Sequence, residues 1–119
     1  MTGERKLARL ARLQGGYYLA TGLWPLVSLR SFEAVTGPKV DRWLVKTVGV
    51  LVGVIGGALL SAGVGRRPAP ETALLGAGSA AGLAAIDLVY AARGRIARVY
   101  LLDAVVELGL AAAWLAAGW

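Results

Sequence analysis

Four long apolar runs, separated by breaks of a few polar residues, take up most of this 119-residue chain and leave no room for a second domain. They cover residues 13–29, 43–65, 69–92 and 96–119. Each of the last three reaches or exceeds the ~20 residues that a helix rising ~1.5 Å per residue needs to cross ~30 Å of hydrocarbon. The first is shorter and carries Pro25, which is expected to kink it, while Glu4 to Gln14 can prolong it as helix through the interface. The predicted fold is all-α: one membrane-embedded, antiparallel four-helix bundle over residues 1–119.

The breaks agree with this count. Gly37-Pro38 and Pro68-Ala69-Pro70 interrupt helices, Asp41, Pro70 and Glu71 suit helix starts, and Ala92-Arg93-Gly94-Arg95 reads as a tight basic turn. Ser31 to Val35 has room for one short helical turn at the surface. The basic lead-in Arg5, Lys6, Arg9 and Arg12 precedes an apolar run as in a signal peptide, but no A-x-A-like cleavage site follows, so an uncleaved first span is expected.

Composition then narrows the chemistry. Apolar residues make up 57% and charged residues 17%, against roughly a quarter charged in ordinary soluble domains. There is no cysteine and no histidine, which removes disulfides, thiolate nucleophiles, zinc sites of the usual kind, His-ligated haem and every triad built on His. No metal, cofactor or catalytic residue is expected. The net charge of +6 sits at the span boundaries without interleaved exposed aromatics, so anionic lipid headgroups are the expected partner and nucleic acid is not. Arg5, Arg9 and Arg12 share one helical face and Leu7, Leu10 and Ala11 another, as in a helix resting on headgroups.

Orientation follows from the loop charges. One side holds Arg5, Lys6, Arg9, Arg12, Arg66 and Arg67; the other holds Arg30, Lys39, Arg42, Lys46, Arg93, Arg95 and Arg98. With Lys46 and Arg98 neutralised inside helices, both termini fall in the cytoplasm of a bacterial inner membrane. The near balance also fits a chain that inserts both ways.

Two sets of residues stand out within the spans. In the second, Gly49, Gly53, Gly57, Ser61 and Gly65 recur every four residues, the GxxxG-type ridge that lets helices approach closely. In the third, Gly76, Ala80 and Ala84 lie on one face and Gly78 with Gly82 on another, and two close-packing faces point to a homo-oligomer. The other set is acidic. Asp87, Asp103 and Glu107 fall inside spans, where an uncompensated charge costs at least ~2.5–3.5 kcal/mol, so they must face protein or water or be protonated.

Asp103 and Glu107 are one turn apart and share a face with Ile96, Tyr100, Leu110 and Trp114. Asp87 shares its face with Gly76, Ala80, Ala84 and Tyr90. By rise per residue, Asp87 and Asp103 lie about 10 Å deep and Glu107 about 16 Å deep, on the side of Arg42 and Lys46. The expected site is a cavity formed by Lys46, Asp87, Asp103 and Glu107, with Tyr90 and Tyr100 as hydrogen-bond donors and Trp24 and Trp114 lining it or filling the core. One lysine cannot neutralise three carboxylates, so Arg42 or Arg95 must reach in or an acid must carry a proton, with Glu107 the first candidate. Trp43 and Trp119 end their spans and read as interfacial anchors. Ser31, Glu33, Thr36 and Lys39 belong to a solvated loop that could gate the cavity.

Gly22-Leu23-Trp24-Pro25-Leu26, the segment Ser31 to Lys39 and Tyr100-Leu101-Leu102-Asp103 resemble small bacterial four-helix membrane proteins. That resemblance covers nearly the whole chain and implies a topology alone. In outline the chain is also similar to small multidrug transporters, which use an intramembrane glutamate, and to the sterol-isomerase and sigma-receptor-like group, which places carboxylates in a bundle cavity. The multidrug transporters carry their glutamate in the first helix, where this chain has no acid.

Three functions are expected from this pattern. The first is proton- or cation-coupled binding or transport of a small amphipathic or cationic ligand. The second is an accessory membrane subunit whose acids only pair with Lys46. The third is a membrane enzyme of isomerase type acting on a lipid-soluble substrate, with Asp103 or Glu107 as acid or base.

Overall fold

Helices account for nearly all of the chain because its runs of Ala, Leu and Val are broken by Gly and Pro only at a few points. The computed structural model describes residues 2–39, 42–65 and 70–117, with side chains from residue 5 onward. Asp41, the Arg66-Arg67 turn, Pro68, Ala69 and Trp119, each given a role above, lie outside the described residues. Within them are five helices and no strand: α1 Thr2–Val27, α2 Leu29–Thr36, α3 Arg42–Val64, α4 Pro70–Ala92 and α5 Tyr100–Ala116. Two of these, α3 and α4, are long and apolar enough to cross a membrane.

The element boundaries follow the sequence reading at the start, where Glu4 to Gln14 prolong the first run as helix, and depart from it at the end. The basic lead-in is continuous with the first run, so α1 extends over 26 residues, and Pro25 falls in its last turn. Ser28 then ends it and caps α2, its Oγ accepting from the Ser31 backbone N–H at 3.3 Å. The short surface turn is thus a helix of 8 residues. At the other end, α5 starts at Tyr100 rather than Ile96. The reason lies in the turn: Gly94 takes φ +70°, and the N–H groups of Arg95 and Ile96 both donate back to the Tyr90 carbonyl. Residues 96–99 are used in reversing the chain, and 17 residues remain for α5.

The long helices pair as two antiparallel hairpins, α1 with α3 and α4 with α5, and α1 also touches α4 and α5. Glycine makes the first pairing possible. A methyl group at Gly56 would stand 2.5 Å from the Leu19 nitrogen, one at Gly22 2.5 Å from the Gly53 nitrogen, and one at Gly63 2.7 Å from the Ala8 carbonyl oxygen. Backbones this close are possible only without a Cβ.

The register of this seam corrects the ridge read by fours. Gly49, Gly53, Gly56 and Gly63 are buried, whereas Ser61 is exposed and nothing lies within 4 Å of a methyl placed on Gly57. A helix that stays against its neighbour over several turns presents positions spaced alternately by three and four, while steps of four alone drift around the cylinder.

The molecule measures 46 × 28 × 18 Å, so its thinnest dimension holds two helix diameters of ~10 Å and no helix is enclosed. What faces outward is apolar and large: Leu51, Val54, Leu74, Leu102, Val105 and Leu115 are each at least 58% exposed. What faces inward is mostly small or polar, namely Ala11, Ala73, Ala77, Ala80, Ala84 and Ala104 with Gln14, Tyr18, Asp87 and Glu107, and Leu59 and Trp114 are the large apolar side chains buried with them.

Candidate functional site

α1 presents two different faces, and the second organises the interior. Gly15, Leu19 and Gly22 point to α3, while Gln14, Tyr17, Tyr18 and Thr21, spaced i, i+3, i+4 and i+7, form a polar stripe. Thr21 returns its hydroxyl to the Tyr17 carbonyl at 2.9 Å. The other three cross to the second hairpin.

The first crossing, at Gln14, is a closed amide network. The Trp114 Nε1–H donates to Gln14 Oε1 at 2.6 Å, and Gln14 Nε2 donates to the Gly76 carbonyl at 2.8 Å. Trp114 is fully buried against Gly76, where an added methyl would lie 2.5 Å from the indole. An indole and an amide in a dry interior are tolerable only when their donors are satisfied, and here the amide oxygen takes the indole N–H while the Gly76 carbonyl takes the amide N–H.

The second crossing is acidic. Tyr18 Oη donates to Glu107 Oε1 at 2.6 Å, with both side chains about 1% exposed, and Tyr17 Oη donates to Asp103 Oδ1. Asp103 is close enough to Asp87 on α4 and to Glu107, one turn along α5, for its charge to be felt at both. Asp87 is 5% exposed, and its Oδ2 is buried without a hydrogen-bond partner. The cluster thus draws one acid from α4 and two from α5, joined to α1 by two phenols. A phenol donates a hydrogen bond but brings no positive charge.

The bases lie elsewhere. Lys46 is exposed on α3, whose inward face packs on α1, so the expected Lys46 pairing is replaced by bonds to Tyr17 and Tyr18. Among the described residues the one ion pair joins Arg42 to Glu33 at 3.4 Å, on the surface. Glu33 Oε2 also accepts from the Lys39 backbone N–H at 2.7 Å, which fastens the loop after α2.

The other residues singled out in the sequence occupy the periphery. Tyr90 is exposed. Tyr100 is half-buried with the Lys39 ammonium 5.2 Å above its ring, and that ammonium also lies 5.9 Å from Phe32 and donates to the Thr36 carbonyl. Trp24 holds α2 to α1, donating to Ser31 Oγ at 2.9 Å and meeting Phe32 edge-on at 5.3 Å. Trp43 is exposed in the first turn of α3.

Gln14, Tyr17 and Tyr18 are site residues that the sequence reading does not single out. The signal was present for α1, since polar side chains at i, i+3, i+4 and i+7 inside an otherwise apolar run must find partners in the bundle. Tyr18→Phe removes the donor from a buried carboxyl group and is expected to lower stability by about 1–3 kcal/mol. Tyr90→Phe, at an exposed ring, is expected to change nothing. Chemical unfolding of both variants in detergent checks the difference.

Comparison with protein-family models, with curated proteins and with solved structures gives no match. The functional reading therefore rests on the geometry.

Proposed function

We propose that the chain is an integral membrane protein in which four helices span the bilayer, and that its inward carboxyl groups exchange protons for a small cationic or amphipathic ligand. The membrane placement is supported by the inverted distribution of side chains, with large aliphatics outside and polar groups inside. In water, so many exposed large aliphatic side chains would be costly. In lipid such a surface is the expected one, because helices there associate through small residues and hydrogen bonds. α5, at 17 residues, is at the short limit for a spanning helix. The charged first turns of α1 suit the headgroup region of a bacterial inner membrane, with the termini on the cytoplasmic side.

The observation that carries the ligand reading is the buried, unpartnered Asp87 oxygen beside Asp103 in a cluster to which no base among the described residues is bonded. Carboxylates side by side in a low-dielectric interior are costly, and a proton held at Asp87 or Glu107 relieves that cost. A proton held between carboxyl groups is replaceable by a cation, and the exchange leaves the charge of the site unchanged. Exposed glycines on α4, Gly78 and Gly82, leave a flat face for a second copy, which supports a homo-oligomer.

The test is proton release on binding. Tetraphenylphosphonium added to weakly buffered, detergent-solubilised protein should release about one proton per cation bound, as charge balance requires. Binding without proton release contradicts exchange.

One observation favours an accessory role instead. The hydrogen bonds of Gln14, Tyr17 and Tyr18 are also the polar links between the two hairpins, so the cluster could serve only to hold them together. That reading predicts that substitutions at the acids change stability alone.

A further inference from the structure

A groove of about 260 Å3 runs between the start of α1 and the end of α5, away from the acid cluster. Its α1 wall is Lys6, Arg9, Leu10 and Leu13, one face at i, i+3, i+4 and i+7. Its α5 wall is Ala113, Ala116 and Ala117. Three alanines opposite long side chains do not fill the space between two helices, and the groove is what remains.

We propose that this groove binds one anionic phospholipid, with the phosphate at Lys6 and Arg9 and an acyl chain along Leu10, Leu13 and the alanine wall. Polarity along the groove supports this occupant. The cations stand at the outer end, and Leu13 lies about 10 Å further along the helix, so charge gives way to hydrocarbon in the direction in which a lipid runs. The volume is below the ~300–1,000 Å3 typical of pockets for compact ligands and suits a slender chain. Among the described residues no acid lines the groove, so a zwitterionic headgroup finds no partner there for its ammonium. A second copy of this chain is disfavoured, because each copy carries +6 and would bring its own basic end against this one.

This site rests on the membrane placement but not on the exchange of protons at the acids. Native mass spectrometry of protein taken from bilayers of equal phosphatidylglycerol and phosphatidylcholine tests it. One phosphatidylglycerol should be retained per protomer in preference to phosphatidylcholine. Lys6→Gln and Arg9→Gln should each weaken retention about fivefold, while Arg30→Gln in α2 should not.

Ala116→Leu should abolish retention with both charges intact, and inorganic phosphate should not displace the lipid. Equal retention of the two lipids, retention unaltered by Ala116→Leu, or displacement by phosphate would each overturn the proposal. Carbonate washing of the same membranes separates the premises. Protein released by carbonate refutes the membrane placement, whereas resistant protein without phosphatidylglycerol preference refutes the groove alone.

Discussion

Gly56→Ala is expected to destabilise the protein by about 1–3 kcal/mol, while Gly57→Ala, one residue along α3, leaves stability unchanged or raises it by up to ~1 kcal/mol. The two substitutions add the same methyl group to the same helix. At Gly56 the methyl meets the Leu19 nitrogen at 2.5 Å and the Gly15 carbonyl oxygen at 2.8 Å. Both are backbone atoms and have no rotamer through which to move aside, so the whole of α1 must retreat. At Gly57 nothing stands within 4 Å, and what remains is the better helix propensity of alanine. Unfolding by a denaturing detergent, followed by circular dichroism, should rank the pair in this order. The reverse order would place α1 on the face of α3 that contains Gly57 and Ser61.

The second large effect concerns ligand binding. Glu107→Gln keeps an oxygen that accepts from Tyr18 but can no longer give up a proton, so the fold should persist while tetraphenylphosphonium binding weakens about tenfold or more. Asp87→Asn should act likewise and also raise stability. Its amide N–H2 can donate to Asp103, which gives a hydrogen bond to a buried group that lacks one. A stabler protein that no longer binds the cation is an outcome the purely structural reading does not give. Equilibrium dialysis and thermal unfolding on the same preparations read both quantities.

How much of this was legible in the sequence can be followed residue by residue. The inward faces of α4 and α5 could be read because each carries costly or small residues in register: Gly76, Ala80, Ala84 and Asp87 on one, and Asp103, Glu107 and Trp114 on the other. Their partners could not be assigned in the same way. Lys46 was chosen by charge and depth, but a lysine at that depth reaches the exposed side of α3, and two phenols meet the carboxyl groups instead. Hydrogen bonding by neutral groups leaves little trace in a charge pattern, and Tyr17 and Tyr18 look like ordinary aromatic residues of an apolar run.

Boundaries were blurred for a related reason. Ile96 to Val99 is apolar enough to continue α5, yet Gly94 and the double donation to the Tyr90 carbonyl commit it to the turn. The glycine register read by fours holds at Gly49 and Gly53 and then slips, by one position at Gly56 and by two at Gly63, because steps of four outrun a turn of 3.6 residues.

Infrared spectroscopy of the protein in lipid bilayers at neutral pH addresses the acid cluster directly, through the carbonyl stretch that only a protonated carboxyl group gives. The account predicts this band in the wild-type protein, its loss or weakening in Asp87→Asn and Glu107→Gln, and its decrease when tetraphenylphosphonium is added. A spectrum that contains ionised carboxylates alone, unaltered by the cation, would contradict it.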